Sequence, residues 1–503
     1  VTRVMQLLNE MEESDTVQPD AYTYNIVMGA YADRVGQYGA AKAAEDILLR
    51  FSERNMKGLV TPGPETMSFN IVMKAWSNSR DEKGPDRAME IYSLMEKLHA
   101  EGHEHVRPDS ISLIALMTAY SVKGDLDMVE RLLIESDVEG DMTNCYNCAM
   151  SSHATSKHVD AGDRAERLLA MMDKPDTTTY TCVLHAHAGS SRKDAAPRSE
   201  EFLGRAVEGY LKYKTDVRPT KQWFHVVLRA WKAHDDVEEA ATRSLALLRD
   251  MQGLANEWQM QTKPDISTYS FVTELWAQVD AQKAEELLKE VESAGEVPFT
   301  RSYNAVLEAL GKERTPKAMT QALEVVDRMH ENLAANAYGY NFVLHAMSKN
   351  RNPQNRRKAL QILERMEEGA SNGLQQVKPN MLTYTNILNY LCVDPTDEDV
   401  RVACDVFDRM RRLHNDPQSK SETDMIGHTI ILMLLARARS TYAAEKATEI
   451  FDAMLAEGYH VFPDAGCMSS VILANARAPN TRYTHVAHDR LVNLFRLYLD
   501  GKI

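Results

Sequence analysis

The chain has 503 residues, 44% hydrophobic and 26% charged, with a formal net charge of −15, the balance of a folded, water-facing protein. Its longest apolar run, around Ile426–Ala436, is broken by His428 and falls short of the about 18 apolar residues that span a bilayer. Six cysteines are too few for a disulfide framework, so free thiols in a reducing compartment are expected, and the net acidity excludes indiscriminate nucleic-acid binding.

The first residue is valine, so the natural N-terminus, and any targeting segment, is expected upstream. The first element is an apolar-periodic segment, "VMQLLNEM". The stretch "PDAYTYN" (19–25) follows, and its pattern returns as "PDTTTYT" (175–181), "PDISTYS" (264–270) and "PNMLTYT" (379–385). Each copy opens a second apolar run, such as "NIVMGAY", "TCVLHAH" or "NFVLHAM". Aligned on the aromatic step, the anchors are Tyr24, Phe69, Leu113, Tyr146, Tyr180, Phe224, Tyr269, Tyr303, Tyr340, Tyr384, His428 and Met468. Their spacings cluster between 33 and 37 and between 40 and 45 residues, as expected for one unit that sometimes carries an insertion.

With the aromatic counted as residue four of each unit, positions four, seven, eight and eleven are apolar: Tyr24, Val27, Met28, Tyr31, or Phe69, Val72, Met73, Trp76. That is one face of a helix. A second helical pattern follows each, as in "DRAMEIYSLMEKL" and "KALQILERMEE". In six of them an alanine precedes a methionine by seven residues: Ala88 and Met95, Ala165 and Met172, Ala322 and Met329, Ala359 and Met366, Ala403 and Met410, Ala447 and Met454. A small residue lets two helices approach, and methionine fills the irregular space two turns on. Neither helix can bury its face alone, so the units must stack into an α-solenoid. The Pro-acid doublet ends the second helix, and its Asp or Asn caps the next one. Insertions such as "SSRKDAAPRSE" (190–200) and "HNDPQSKSETD" (414–424) have loop composition. No linker divides the array. The boundaries read as a partial repeat over 1–20, about eleven repeats over 21–464 and a partial terminal repeat over 465–503.

Candidate chemistry is thin. "CYNC" (145–148) has metal-like spacing but lies inside a first helix without a second ligand pair, and "HAEGHEH" (99–105) falls in a loop. There is no Gly-rich phosphate loop, no nucleophile elbow and no His-x-Glu with a downstream Cys-x-x-Cys. No metal, cofactor, small-molecule substrate or catalytic residue is expected, and the chain reads as a binder. Cations concentrate on first helices and their exits (Lys74, Lys232, Lys349, Arg437, Arg439, Arg477), whereas second helices carry the acid, as in "DLDMVERLLIESDVEGD" (125–141). A basic face with an acidic back is expected from that partition.

The Thr/Ser-Tyr-Asn step near the start of each unit and the Pro-Asp at its end resemble the pentatricopeptide repeat family, with degenerate and long units, over essentially the whole chain. The resemblance implies an all-α, right-handed α-solenoid superhelix of helix-turn-helix repeats. It also implies a groove that binds single-stranded RNA, one base per repeat. The fifth and last residues of each unit would read the base, and the second would pack against it. Carried over, Asn70 with Asp109 and Asn147 with Asp176 look like uracil readers. Asn304 with Asn336 and Asn341 with Asn380 look like pyrimidine readers, cytosine first. Thr385 with Asp424 and Thr429 with Asp464 look like guanine readers. Asn25 with Glu65, Thr181 with Thr220, His225 with Asp265 and Ser270 with Phe299 depart from the usual combinations, and Ile114 with Met142 has no reader. The family also implies organellar RNA processing, stability or translation, in mitochondria with chloroplasts as the alternative, and organellar RNA-processing or ribosomal proteins as possible partners. Two alternatives stay open: a protein scaffold subunit of an organellar assembly such as a ribosome, or the RNA-binding part of an enzyme whose catalytic domain lies elsewhere.

Overall fold

A computed structural model describes residues 2–492 apart from 15, 37, 214–215, 259–260, 314, 333–334, 351–355, 393–394, 414–422, 457–464, 481–484 and 490–491. Among the described residues every regular element is a helix, and none is long and apolar enough to cross a membrane. Two compact units divide the chain, Val1–Pro264 and Asp265–Ile503. The break falls inside the doublet Pro264-Asp265, where the sequence has no linker composition.

In the N-terminal unit, α1 (Thr2–Glu13) is followed by six helical hairpins. They pair α2 (Ala21–Ala32) with α3 (Tyr38–Met56), α4 (Thr66–Ser79) with α5 (Gly84–Ala100), and α6 (Ser110–Lys123) with α7 (Leu126–Glu135). The pairs continue as α8 (Thr143–Ser156) with α9 (Ala161–Ala170), α10 (Thr177–Gly189) with α11 (Ala195–Tyr213), and α12 (Lys221–Lys232) with α13 (Val237–Trp258). In the C-terminal unit α14 (Ile266–Val279) pairs with α15 (Ala281–Ser293), α16 (Thr300–Glu313) with α17 (Pro316–Glu331), and α18 (Ala337–Asn350) with α19 (Arg356–Ser371). There α20 (Met381–Leu391) pairs with α21 (Asp397–Leu413), α22 (Thr423–Arg437) with α23 (Thr441–Ala456), and α24 (Ala465–Arg477) follows. Within each unit every first helix packs on its own partner and on the next first helix, so the first helices form one layer.

The doublets start the helices by a local mechanism. Asp20, Asp109, Asp176, Asp265 and Asn380 are extended N-cap residues whose side chains accept the backbone N–H three residues on. At the last four, the third helical residue (Ser112, Thr179, Thr268, Thr383) closes a capping box by accepting the N-cap's own N–H. Such a cap contributes about 1 kcal/mol.

At position four Tyr24, Tyr303, Tyr340 and Tyr384 are buried, and their hydroxyls reach the preceding second helix. Tyr24 donates to Glu12 at 2.6 Å, Tyr303 to Glu292 at 2.7 Å and Tyr384 to Glu367 at 3.2 Å, each time on the preceding second helix. Tyr340 meets His330 at 2.7 Å, and burial pushes its phenol up to about 12. A second tie recurs at position eleven in the N-terminal unit. Trp76 Nε1 donates to Glu45 at 2.9 Å, Trp231 Nε1 to Glu200 at 2.7 Å, and His187 Nε2 lies 2.7 Å from Glu166. An arginine of the following second helix, Arg87, Arg243 or Arg205, holds each carboxylate from the other side. The small–large pairs pack as the spacing implies. Ala88, Ala165, Ala322, Ala359, Ala403 and Ala447 are buried, as are Met95, Met329, Met366, Met410 and Met454, while Met172 is half-buried.

The Cys-x-x-Cys thiols are packing groups. Cys145 Sγ faces the Ser110 carbonyl at 3.6 Å, Cys148 lies 3.8 Å from the Thr118 hydroxyl, and burial pushes the Cys145 thiol up to about 12. Among the described residues no group of three His, Cys, Asp or Glu side chains is placed to hold a metal ion.

Candidate nucleic-acid interface

Positions two and five of each first helix are three residues apart and therefore neighbours on one helix face. Position two is apolar and exposed in six units: Tyr22, Met67 and Ile111 in the N-terminal unit, and Tyr338, Leu382 and Ile426 in the C-terminal one. Leaving six large apolar side chains in water at one repeating position has no folding rationale. The sequence reading gave position two a role without naming these residues. Their signal is the recurrence of a large apolar residue two places before a buried aromatic.

Position five lies at the seam between consecutive first helices and is held there. Asn70 Nδ2 donates to Asp109 Oδ1 at 3.0 Å, Asn147 Nδ2 to Asp176 Oδ1 at 3.3 Å, and Asn341 Nδ2 to Asn380 Oδ1 at 3.0 Å. Three of the expected reader pairs are thus in direct contact, and the last residue of a unit both caps the next helix and fixes the preceding amide. These side chains are not splayed into solvent, for Asn341 is 4%, Asn70 7% and Asn147 8% exposed. One amide hydrogen is committed to the pair, and the second remains. Ser112 Oγ donates to Asn70 Oδ1 at 2.6 Å, whereas the buried Oδ1 atoms of Asn147 and Asn341 have no hydrogen-bond partner. Burial opposes ionisation of Asp176, but the Thr179 N–H and hydroxyl and the Asn147 amide outweigh it and hold the carboxyl below its ordinary range.

The other expected readers are arranged differently. Asn304 Oδ1 is buried without a partner, and Asn336 Oδ1 accepts the Gly339 N–H at 2.8 Å. Asn25 Oδ1 accepts from Ser68 Oγ at 2.8 Å. Thr181 donates to the Thr177 carbonyl at 2.7 Å and accepts from Trp223 Nε1 at 3.0 Å, while Thr220 Oγ1 is buried and unpartnered. Thr385 donates to the Leu382 carbonyl at 3.1 Å, and Thr429 lies 3.4 Å from Cys467 Sγ. His225 lies in α12 of the N-terminal unit and Asp265 caps α14 of the C-terminal one. The side chain of Asp424, and Asp464 entirely, lie outside the described residues.

Charge along the first-helix layer is uneven. Lys349, Arg437, Arg439 and Arg477 line a cleft of about 760 Å³ whose lining, among the described residues, contains no carboxylate. Arg437 and Arg477 also donate, each at 3.2 Å, to the carbonyls of Cys392 and Ala436 at the end of the preceding first helix. Earlier in the C-terminal unit, Glu274 and Glu308 lie beside Arg301 and Tyr338.

A layered stack of hairpins within each unit, with Asp20, Asp109, Asp176, Asp265 and Asn380 capping the first helices that follow them, defines an α-solenoid of helix-turn-helix repeats. Residues 324–395, from α17 through α20, match the family model described as a pentatricopeptide repeat domain. Among solved structures the chain is similar to the pentatricopeptide repeat protein PPR10 from maize, with 17% identity, 99% of this chain and 72% of that chain covered, and a TM-score of 0.43. It is also similar to PPR10 in complex with an 18-nt psaJ RNA element, with 18% identity, the same coverage and a TM-score of 0.41. A search of curated proteins gave no match.

Proposed function

We propose that the chain binds single-stranded RNA with one base met per repeat, acting in organellar RNA processing, stability or translation. The observation that carries this reading is the repeated coupling of a fifth-position amide to the capping residue of the next helix. It occurs at Asn70–Asp109, Asn147–Asp176 and Asn341–Asn380. At Asn70 and Asn341 the polar edge so fixed lies on the same helix face as the exposed Met67 and Tyr338 at position two, which offers hydrogen bonding to a base edge and a surface for its face. The cleft that gathers Lys349, Arg437, Arg439 and Arg477 suits the phosphate backbone. The pentatricopeptide repeat match over residues 324–395 makes single-stranded RNA the natural partner class to test.

The experiment is selection of a randomised single-stranded RNA library on the purified chain. An enriched motif with pyrimidines in consecutive positions, for Asn304–Asn336 and Asn341–Asn380, supports the proposal. Absence of any enriched base would overturn it in favour of a protein scaffold.

A further inference from the structure

The unit that begins at Ile266 is expected to read through Ser270 and Phe299, yet Ser270 has nothing left to read with. It is 2% exposed. Its hydroxyl donates to Glu274 Oε1 at 2.9 Å and accepts from Ser302 Oγ and from Arg301 Nε, both at 2.9 Å. A hydroxyl has one hydrogen and two lone pairs, so all three are used.

The group that closes Ser270 is itself well presented. Arg301 occupies position two of the next unit, where other units carry an exposed apolar residue. Its Nε lies 2.9 Å from Glu274 Oε1, and the guanidinium carbon sits 5.0 Å from the Phe299 ring centre and 6.0 Å from that of Phe271. The side chain remains 55% exposed. Among the described residues no hydrogen bond engages Nη1 or Nη2. The guanidinium plane is therefore fixed by a carboxylate and a hydroxyl at Nε and by two aromatic rings, with the Nη edge left over. It borders a cleft of about 450 Å³ shared with Asn304 and Tyr338.

We infer that reading at this unit has passed from Ser270 to Arg301, and that the base taken there is guanine. A fixed guanidinium edge carries parallel N–H donors and matches the two acceptors N7 and O6, which guanine alone presents side by side. Adenine puts a donor beside N7, and the pyrimidines lack the pair. The inference rests on the RNA-binding proposal above and names a specificity residue outside the fifth and last positions.

The test is library selection on wild type, Arg301→Ala, Arg301→Lys and Ser270→Ala. The expected result is a guanine directly before the two consecutive pyrimidines of Asn304–Asn336 and Asn341–Asn380 in the wild-type motif, preferred at least about fivefold. It falls to background in Arg301→Ala and Arg301→Lys and persists in Ser270→Ala. Guanine lost in Arg301→Ala but kept in Arg301→Lys overturns the bidentate reading, because a charge alone then suffices. A uniform loss of affinity in Arg301→Ala with the motif unchanged also overturns it, making Arg301 a phosphate contact. A motif with base preferences elsewhere and none at this position defeats the inference and leaves the RNA-binding proposal standing. No preference at any position defeats both.

Discussion

Asn341 Nδ2 donates to Asn380 Oδ1 at 3.0 Å, and the same oxygen accepts the Thr383 N–H at 3.2 Å. One side-chain oxygen thus starts α20 and orients the amide of the unit before it. Asn380→Asp keeps a good N-cap, so stability should change by less than about 0.5 kcal/mol. The preferred base at that unit should move from cytosine toward uracil, read by competition between two RNAs that differ at that position. Asn380→Ala removes the cap and should cost about 1 kcal/mol in denaturant unfolding, with loss of base preference there.

Thr385 makes its hydrogen bond within its own helix, to the Leu382 carbonyl. Thr385→Asn should shift the preferred base of that unit from purine toward pyrimidine. An unchanged motif in library selection, with the variant folded, would favour the scaffold alternative.

Glu166 predicts an acid limb. The His187 ring hydrogen bond is the largest influence on it. Together with Arg205, it outweighs burial and lowers the carboxyl from 4.5 to about 2. A carboxyl depressed in the folded state stabilises the fold above its unfolded value, and that stability is lost as pH falls from about 4.5 toward about 2. Glu166→Gln should therefore lower stability near neutrality by about 1 kcal/mol, discounted for partial solvent screening. It should also flatten this part of the pH–stability curve, measured by thermal unfolding between pH 2 and 7.

Gly162 guards the same contact. A Cβ added there would lie 2.1 Å from His187 Nδ1 and 2.5 Å from its Cγ, and the ring is buried. Gly162→Ala should cost about 1–3 kcal/mol by overpacking. By displacing His187 it should also weaken the Glu166 acid limb, a double signature that a plain cavity or propensity effect would not give.

Much of the fold could be read from the chain because its determinants are local. Pro-Asp or Pro-Asn, with Ser or Thr at the third helical residue, writes a helix start into four or five letters, and the aromatic with its apolar followers writes the buried face. At Asp109, Asp176 and Asn380 the side chain that caps the next helix also holds the position-five amide of the unit before it. The state of each reader was not legible, because it depends on residues one unit away. Arg301 saturates Ser270, Trp223 reaches Thr181 across 42 positions, and Ser112 occupies the acceptor of Asn70. No period in the sequence records which neighbour wins a given hydroxyl or amide.

The handover of each position-five side chain to the following cap bears on how such arrays can be cut and recombined. A module excised from Thr66 to Asp109 would leave behind Ser112, which both completes the cap and clamps Asn70. Transplants should overlap by one helical turn, and the final repeat of any shortened array should lose its selectivity unless a capping turn is grafted after it.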